Sequence, residues 1–156
     1  ESVLSQSVGN QMEWTCVSED QTRAVGMLMQ KLVVPNTQYH SYQAKGLKPD
    51  ARYHFYNRSL KYNIKDFGDL VNTVSPVHIR QDSLALDLIA RFKKMDGEIE
   101  DCHAAGDMLM YHGVKLKQAF GGTGYNNEVR YFQDFAARMY FMEEEKGHAD
   151  SGEAEK

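Results

Sequence analysis

The stretch KGLKPDARYHFYN, residues 45–57, decides how this chain is read. Gly46, Pro49 and Asp50 supply turn chemistry: a residue without Cβ, a fixed φ, and a side chain that bonds its own backbone. Beyond the turn, Tyr53 and Phe55 alternate with Arg52 and His54, the period-2 pattern of a half-buried strand. Before it, residues 39–44 carry Tyr39 and Tyr42. Two aromatic-rich runs joined by such a turn predict a β-hairpin.

Strand patterns continue toward the N-terminus. Residues 12–18 alternate, with Met12, Trp14 and Cys16 on one face, which predicts a buried Cys16. SEDQT, residues 18–22, is polar turn chemistry. Residues 23–32 read as a longer strand in which Gly26 suggests a bulge, and residues 3–7 as a short opening strand. Downstream the period changes. Phe67, Leu70, Val71 and Val74 recur at helical spacing, with Asp66 as cap and Pro76 as stop. A second helix is predicted over residues 83–95, where Leu84, Leu88, Phe92 and Met95 share a face. Asp82 or Ser83 would cap it and Gly97 would close it. Residues 98–103 return to strand. Asp107 and Gly113 bracket one helical turn, and Val114 and Leu116 begin a short strand. Residues 129–132 and 135–142 also read as strands. In the last, Phe135, Ala137, Met139 and Phe141 alternate with Ala136, Arg138, Tyr140 and Met142. The polar tail has too little apolar surface to offset the entropy of ordering, so disorder is expected over residues 146–156.

The chain has 156 residues, the size of one domain, and a net charge of -4. Its cations are scattered, without the clustered basic footprint of nucleic-acid binding, so no nucleic-acid partner is expected. No apolar run is long enough to span a membrane and no signal peptide opens the sequence, so no membrane partner is expected either. Cys16 and Cys102 form no C-x-x-C pair and are too few for a disulfide framework or a zinc site. Reduced thiols and a cytoplasmic location are expected.

No candidate site carries a full signature. QAFGGTGYNNEVRY, residues 118–131, is glycine-rich but lacks the lysine and hydroxyl of a P-loop and the complete G-x-G-x-x-G, so it reads as a loop between strands. Asp66, Asp69, Asp82, Asp87, Asp96 and Asp107 fall at expected caps, helix faces and turns. They do not suggest the carboxylate pair about 5–5.5 Å apart that a retaining glycosidase needs. His40, His54, His78, His103, His112 and His148 show no metal-binding spacing, though His40 and His54 would meet across the predicted hairpin. There is no G-x-S-x-G elbow. No residue is therefore assigned as catalytic, cofactor-binding or metal-ligating. Tyr39, Tyr42, Tyr53 and Tyr56 are kept as candidate carbohydrate contacts, because exposed aromatics stack on sugar rings. Alternating aromatics in strands more often form core and cross-strand pairs. The residues by themselves indicate a mainly β domain with a helical insertion and no catalytic constellation.

Four segments together resemble the C-terminal domain of glycoside hydrolase family 36 enzymes, the bacterial α-galactosidases. EWTCVSEDQTRAV, residues 13–25, is similar to that domain's early strand-turn-strand with its Val-Ser-x-Asp turn. KGLKPDARYHFYN resembles its Lys-Gly-Leu-x-Pro-Asp hairpin. GDMLMYHGVKL, residues 106–116, is similar to its Gly-Asp-x-Leu-Met-x-x-Gly-Leu turn. FQDFAARMYFME, residues 132–143, resembles its final strand, Asp-Phe-x-Ser-Arg-Leu-Tyr. The four also stand in the family's order.

The resemblance implies an antiparallel two-sheet β-sandwich with Greek-key connections over residues 1–145. A helical insertion at about residues 66–95 would sit within a longer interruption at about residues 58–99. The resemblance further implies a non-catalytic accessory domain, inactive alone, that follows a (β/α)8 barrel in a parent chain. In the family that barrel carries both catalytic aspartates of a retaining α-galactosidase, and no cofactor is used. No residue here matches the barrel's motifs. The barrel is the partner implied, with a homo-oligomer as a second. Long insertions resemble a clostridial-type subgroup, some of whose members remove α-linked N-acetylgalactosamine. An α-N-acetylgalactosaminidase parent is thus one alternative, and a carbohydrate-binding module another. The apolar helix faces Phe67/Leu70/Val74 and Leu84/Leu88/Phe92 are expected to cover the sandwich or to pack on the barrel or a neighbouring subunit.

Overall fold

The computed structural model describes residues 2–32, 40–80, 83–117 and 134–145. Its strands, in chain order, are Ser2–Val8 (β1), Gln11–Val17 (β2), Arg23–Gln30 (β3), Ser41–Tyr42 (β4), Arg52–Asn57 (β5), Lys61–Asn63 (β6), Lys94–Asp96 (β7), Asp101–Ala105 (β8), Val114–Lys115 (β9) and Ala137–Glu144 (β10). Six form one antiparallel sheet in the order β1-β2-β3-β10-β5-β8, so β10 fills the place between β3 and β5. β4 pairs with β9, and β6 with β7.

The period-2 pattern sets the inner face of the large sheet. Thr15 and Val17 in β2, Ala24 and Leu28 in β3, Tyr53 and Phe55 in β5, and Tyr140 and Met142 in β10 are all buried. They meet a second layer built around β4 and β9, from which Tyr42, Ala44, Leu47, Leu109 and Leu116 point inward. Tyr42, Phe55 and Tyr140 form the centre, with ring centroids 6.0, 5.0 and 5.2 Å apart. This is the expected antiparallel β-sandwich with a helical insertion. Tyr42 shares a 2.7 Å hydrogen bond with Thr15 and donates to the Trp14 carbonyl at 3.0 Å; burial pushes its phenol well above the ordinary range. Gly26 faces this ring without a bulge, since the registers to β2 and β10 run straight through it. A methyl group there would meet Tyr42 Oη at 1.9 Å, so close approach is what requires glycine.

The turn at residues 18–22 is built on Asp20. Its carboxylate accepts from Ser18 Oγ at 2.6 Å, Thr22 N at 3.1 Å and Thr22 Oγ1 at 2.8 Å, which holds its pKa down to about 2. The Asp107 cap also forms, accepting from Met108 N at 2.6 Å ahead of a single wide helical turn, Met108–His112. Gly113 closes that turn at φ 73.

Other expectations need correction. The two aromatic runs flanking the turn at residues 45–50 do not pair as a hairpin: β4 pairs with β9, while β5 lies between β10 and β8. Gly46 takes φ 78 and Leu47 is only 3% exposed, so the chain dips through the core and crosses from one layer to the other. Cys16 is exposed. It does share a face with Trp14, but Thr15 and Val17 are the residues of β2 that point at the core. The insertion is less helical than its apolar period suggested. Ile64–Leu70 is a 3-10 segment interrupted by Gly68 at φ 55, followed by one α-helical turn, Val71–Val74 (α1). The second helix, Leu84–Phe92 (α2), is capped by Ser83 Oγ, which accepts from Leu86 N at 3.2 Å. It ends early because Lys94–Asp96 is drawn into pairing with β6. Its buried residues are Leu86 and Ala90, not the Leu84/Leu88/Phe92 stripe.

A buried ion pair ties the insertion to the sandwich. Arg138 of β10 donates from Nε to Glu98, and from Nη2 to Tyr62 of β6 at 2.5 Å. Tyr62 in turn donates to Glu98 at 3.2 Å. The Arg138 and Glu98 side chains are only 6% and 1% exposed. Residues 118–131, the strand at 129–132 and the tail at 146–156 lie outside the described residues, as do Tyr39 and Asp82. Among the described residues no helix is long and apolar enough to cross a membrane.

Candidate functional site

Of the candidate carbohydrate contacts, Tyr42 and Tyr53 are core residues with no exposed face. Tyr53 donates to the Gln21 carbonyl at 2.7 Å and accepts from Lys48 N at 3.1 Å, so its polar end is also engaged. Tyr56 lies on the opposite face of the sheet, half-buried, stacked on Phe141 at 5.3 Å and donating to Glu143 at 3.1 Å. Tyr42 and Tyr53 thus cannot share a stacking platform with Tyr56. The alternation that marked all of them was core and cross-strand pairing.

Among the described residues the candidate carboxylates Asp87, Asp96 and Asp107 have separate partners, and the side chains of Asp66, Asp69 and Asp82 lie outside the description. Asp87 pairs with Lys65 and Asp96 with Lys61, both at the surface, and Asp107 caps a turn. Glu144 pairs with Lys48 at 2.8 Å, and Glu145 with Arg52 at 2.8 Å. The deeply buried Glu98 is held by Arg138.

Two surfaces remain. The first is the outer face of the large sheet. Its register lays Trp14, Met27 and Met139 in one cross-strand row, and Cys16, Val25, Phe141 and Tyr56 in the next. Met12 and Met29 begin the row before them. The apolar members of these rows are half-buried by their sheet neighbours rather than sealed in the core. The second surface is on the insertion, where Val71, Ile79, Leu88, Ile89 and Phe92 line an open groove of about 610 Å³. Beside it, Leu84 and Phe92 are 86% and 82% exposed.

The outer face also carries an imidazole cluster that reasoning from spacing did not assemble. His40 meets Glu13 at 2.9 Å, not His54. His54 instead stands directly opposite His103 across β5 and β8, the rings stacked at 4.5 Å. His54 Nε2 lies 2.9 Å from Asp101 Oδ1, and His103 Nε2 lies 4.0 Å from the same oxygen. The strand pattern around each histidine was legible; their register was not.

The chain belongs to the glycosyl hydrolase family 36 C-terminal domain family, whose model matches residues 11–142. Among solved structures it is similar to an α-galactosidase from Lactobacillus brevis, with 20% identity and a TM-score of 0.48 over 90% of this chain and 12% of that one. It is also similar to a variant of the α-galactosidase AgaA from Geobacillus stearothermophilus in complex with raffinose, with 17% identity and a TM-score of 0.49 over 92% of this chain and 12% of that one. A third similar structure is the galactosidase domain of the α-galactosidase-sucrose kinase AgaSK, at 16% identity and a TM-score of 0.45, covering 88% and 12%. The chain spans about 12% of the length of these structures. No curated protein matches it.

Proposed function

We propose that this chain is a non-catalytic accessory domain of a retaining α-galactosidase, and that it supports the catalytic (β/α)8 barrel of the parent through the outer face of its six-stranded sheet. One observation carries this reading. An antiparallel sheet with one face on a core ordinarily turns polar residues to the other. Here the other face presents Trp14, Met27, Met29, Met139, Val25 and Phe141 in adjacent rows. A contiguous apolar patch of this kind marks an interaction surface. Membership of a C-terminal domain family, and relatives far longer than this chain, favour the rest of the same polypeptide as the occupant. The carboxylates bound to cations and caps fit a domain that leaves chemistry to its partner. Burial of Tyr42 and Tyr53 weighs against the carbohydrate-binding reading.

The test is glycosidase activity on nitrophenyl α-galactoside and on its α-N-acetylgalactosaminide counterpart. This chain alone is expected to show no turnover of either, while the full-length parent turns over the galactoside. Preference of the parent for the second substrate would replace the α-galactosidase reading with the N-acetylgalactosaminidase one. Turnover by the isolated chain would overturn the accessory role.

A further inference from the structure

We propose that His54, His103 and Asp101 form a binding site for a zinc-class divalent cation on the outer face of β5 and the edge strand β8. The cluster follows from register. His54 and His103 are a directly opposed cross-strand pair, and Asp101 lies two residues before His103 on the same face. One ligand atom from each of the three lies within 4.8 Å of the others. Tetrahedral zinc, with bonds of about 2.0–2.1 Å to nitrogen and oxygen, sets ligand atoms roughly 3.3–3.5 Å apart. The two separations from Asp101 Oδ1, 2.9 and 4.0 Å, bracket that spacing. Because the three ligand atoms lie within 4.8 Å of one another, side-chain rotations that shift them by roughly an ångström would close the site.

A second feature, independent of that spacing, points the same way. Metal-binding imidazoles are usually oriented by a carboxylate on the other ring nitrogen. His103 Nδ1 meets Glu145 Oε1 at 2.5 Å, which turns Nε2 toward the site. Glu145 is itself fixed: its other oxygen takes a 2.8 Å bond from Arg52 Nε, and its backbone N–H donates to the Arg52 carbonyl at 2.8 Å. The site is open to solvent, with His54, His103 and Asp101 side chains 34%, 46% and 61% exposed, so a cation can enter and water can complete its shell.

Two imidazoles and one carboxylate select the metal. Imidazole suits zinc, copper and nickel, whereas magnesium and calcium prefer oxygen ligands. Binding needs the lone pair of His54 Nε2, which faces Asp101 Oδ1; a neutral ring frees it by carrying its one hydrogen on Nδ1, so the ligand is neutral imidazole and no net proton is lost. The bound ion would clip the edge strand β8 to β5, and through Glu145 to the end of β10.

The experiment is calorimetric titration of the chain with Zn2+, paired with Co2+ absorption to read coordination. The expected result is uptake of one ion per chain and the visible band of tetrahedral cobalt. Both should be lost in the His54→Ala/His103→Ala variant and kept in His112→Ala, an exposed histidine elsewhere. Glu145→Gln should weaken binding by about tenfold or more while leaving the stoichiometry unchanged. Mg2+ should give no heat. Far-UV circular dichroism checks that each variant is folded, which surface positions make straightforward. Absence of zinc uptake, or uptake unchanged in the double variant, would overturn the site.

Discussion

Replacing Glu98 by glutamine is expected to lower the stability of this domain by about 3–5 kcal/mol, a large part of what a single domain possesses. The Glu98 side chain is 1% exposed and meets Arg138, which is 6% exposed. Removing the charge of one partner takes from the buried guanidinium the carboxylate to which its Nε donates. The loss should exceed that of a surface pair such as Lys61 and Asp96, where substitution is worth roughly 0–1 kcal/mol. The double variant Glu98→Leu/Arg138→Met removes both charges and should cost less than Glu98→Gln alone, because the two members of the buried pair go together. Tyr62 loses its hydrogen bonds to Glu98 and Arg138 in that variant, so the insertion should exchange its amide hydrogens faster while the sandwich stays folded. Urea denaturation measures these differences. A change under about 1 kcal/mol for Glu98→Gln would contradict the pair's structural role.

Gly106→Ala is expected to cost about 3 kcal/mol or more, at the upper end of what overpacking does. Gly106 opens the GDML turn and lies against the turn at residues 45–50. Its N–H donates to the Ala51 carbonyl at 2.8 Å, and the next residue, Asp107, donates to Pro49 at 3.0 Å. A methyl group on Gly106 would meet the Lys48 carbonyl oxygen at 2.1 Å. That atom is backbone and cannot rotate aside. Gly106 has no positive φ, so space alone forbids the substitution. Two of the quoted sequence stretches thus interlock, and both should loosen together. Gly9→Ala is the contrasting case: nothing lies within 4 Å of its Cβ position, and only its φ of 59 resists the change. A midpoint for Gly106→Ala indistinguishable from that of Gly9→Ala would contradict the interlock.

Much of this architecture was legible in the residues, and the failures have physical causes. Alternation found most strands of the large sheet, and in β2 and β10 it grouped the side chains correctly by face. It did not say which face was inner, because both are apolar: Met12 and Trp14 compete with Thr15 and Val17 in β2. That ambiguity misplaced Cys16, and the same excess of apolar residues is what exposes the outer face as a surface. Turn chemistry at Gly46 and Asp50 was real, but pairing depends on where the chain goes next, and buried Leu47 sends it across the core. The stripe Leu84/Leu88/Phe92 was periodic, yet period reports a stripe and not what covers it. Arg138 stands among Ala136, Tyr140 and Met142, and alternation alone did not mark it as a buried charge. Its partner Glu98 lies 40 residues away and left no local signal. The His54–His103 pairing was hidden for the same reason, since the insertion separates β5 from β8.

Thiol labelling at Cys16 tests the docking face most directly. Cys16 is exposed on that face, beside Val25 and one row from Trp14, while Cys102 is half-buried with its thiol pushed up chiefly by burial. In the isolated chain Cys16 should react with a thiol reagent much faster than Cys102, as peptide mass spectrometry would show. In the full-length parent Cys16 should be protected if, as proposed, this face docks on the barrel. Equal reactivity of Cys16 in the isolated chain and in the parent would contradict the account, since it would leave the apolar rows open to solvent where they are proposed to be covered.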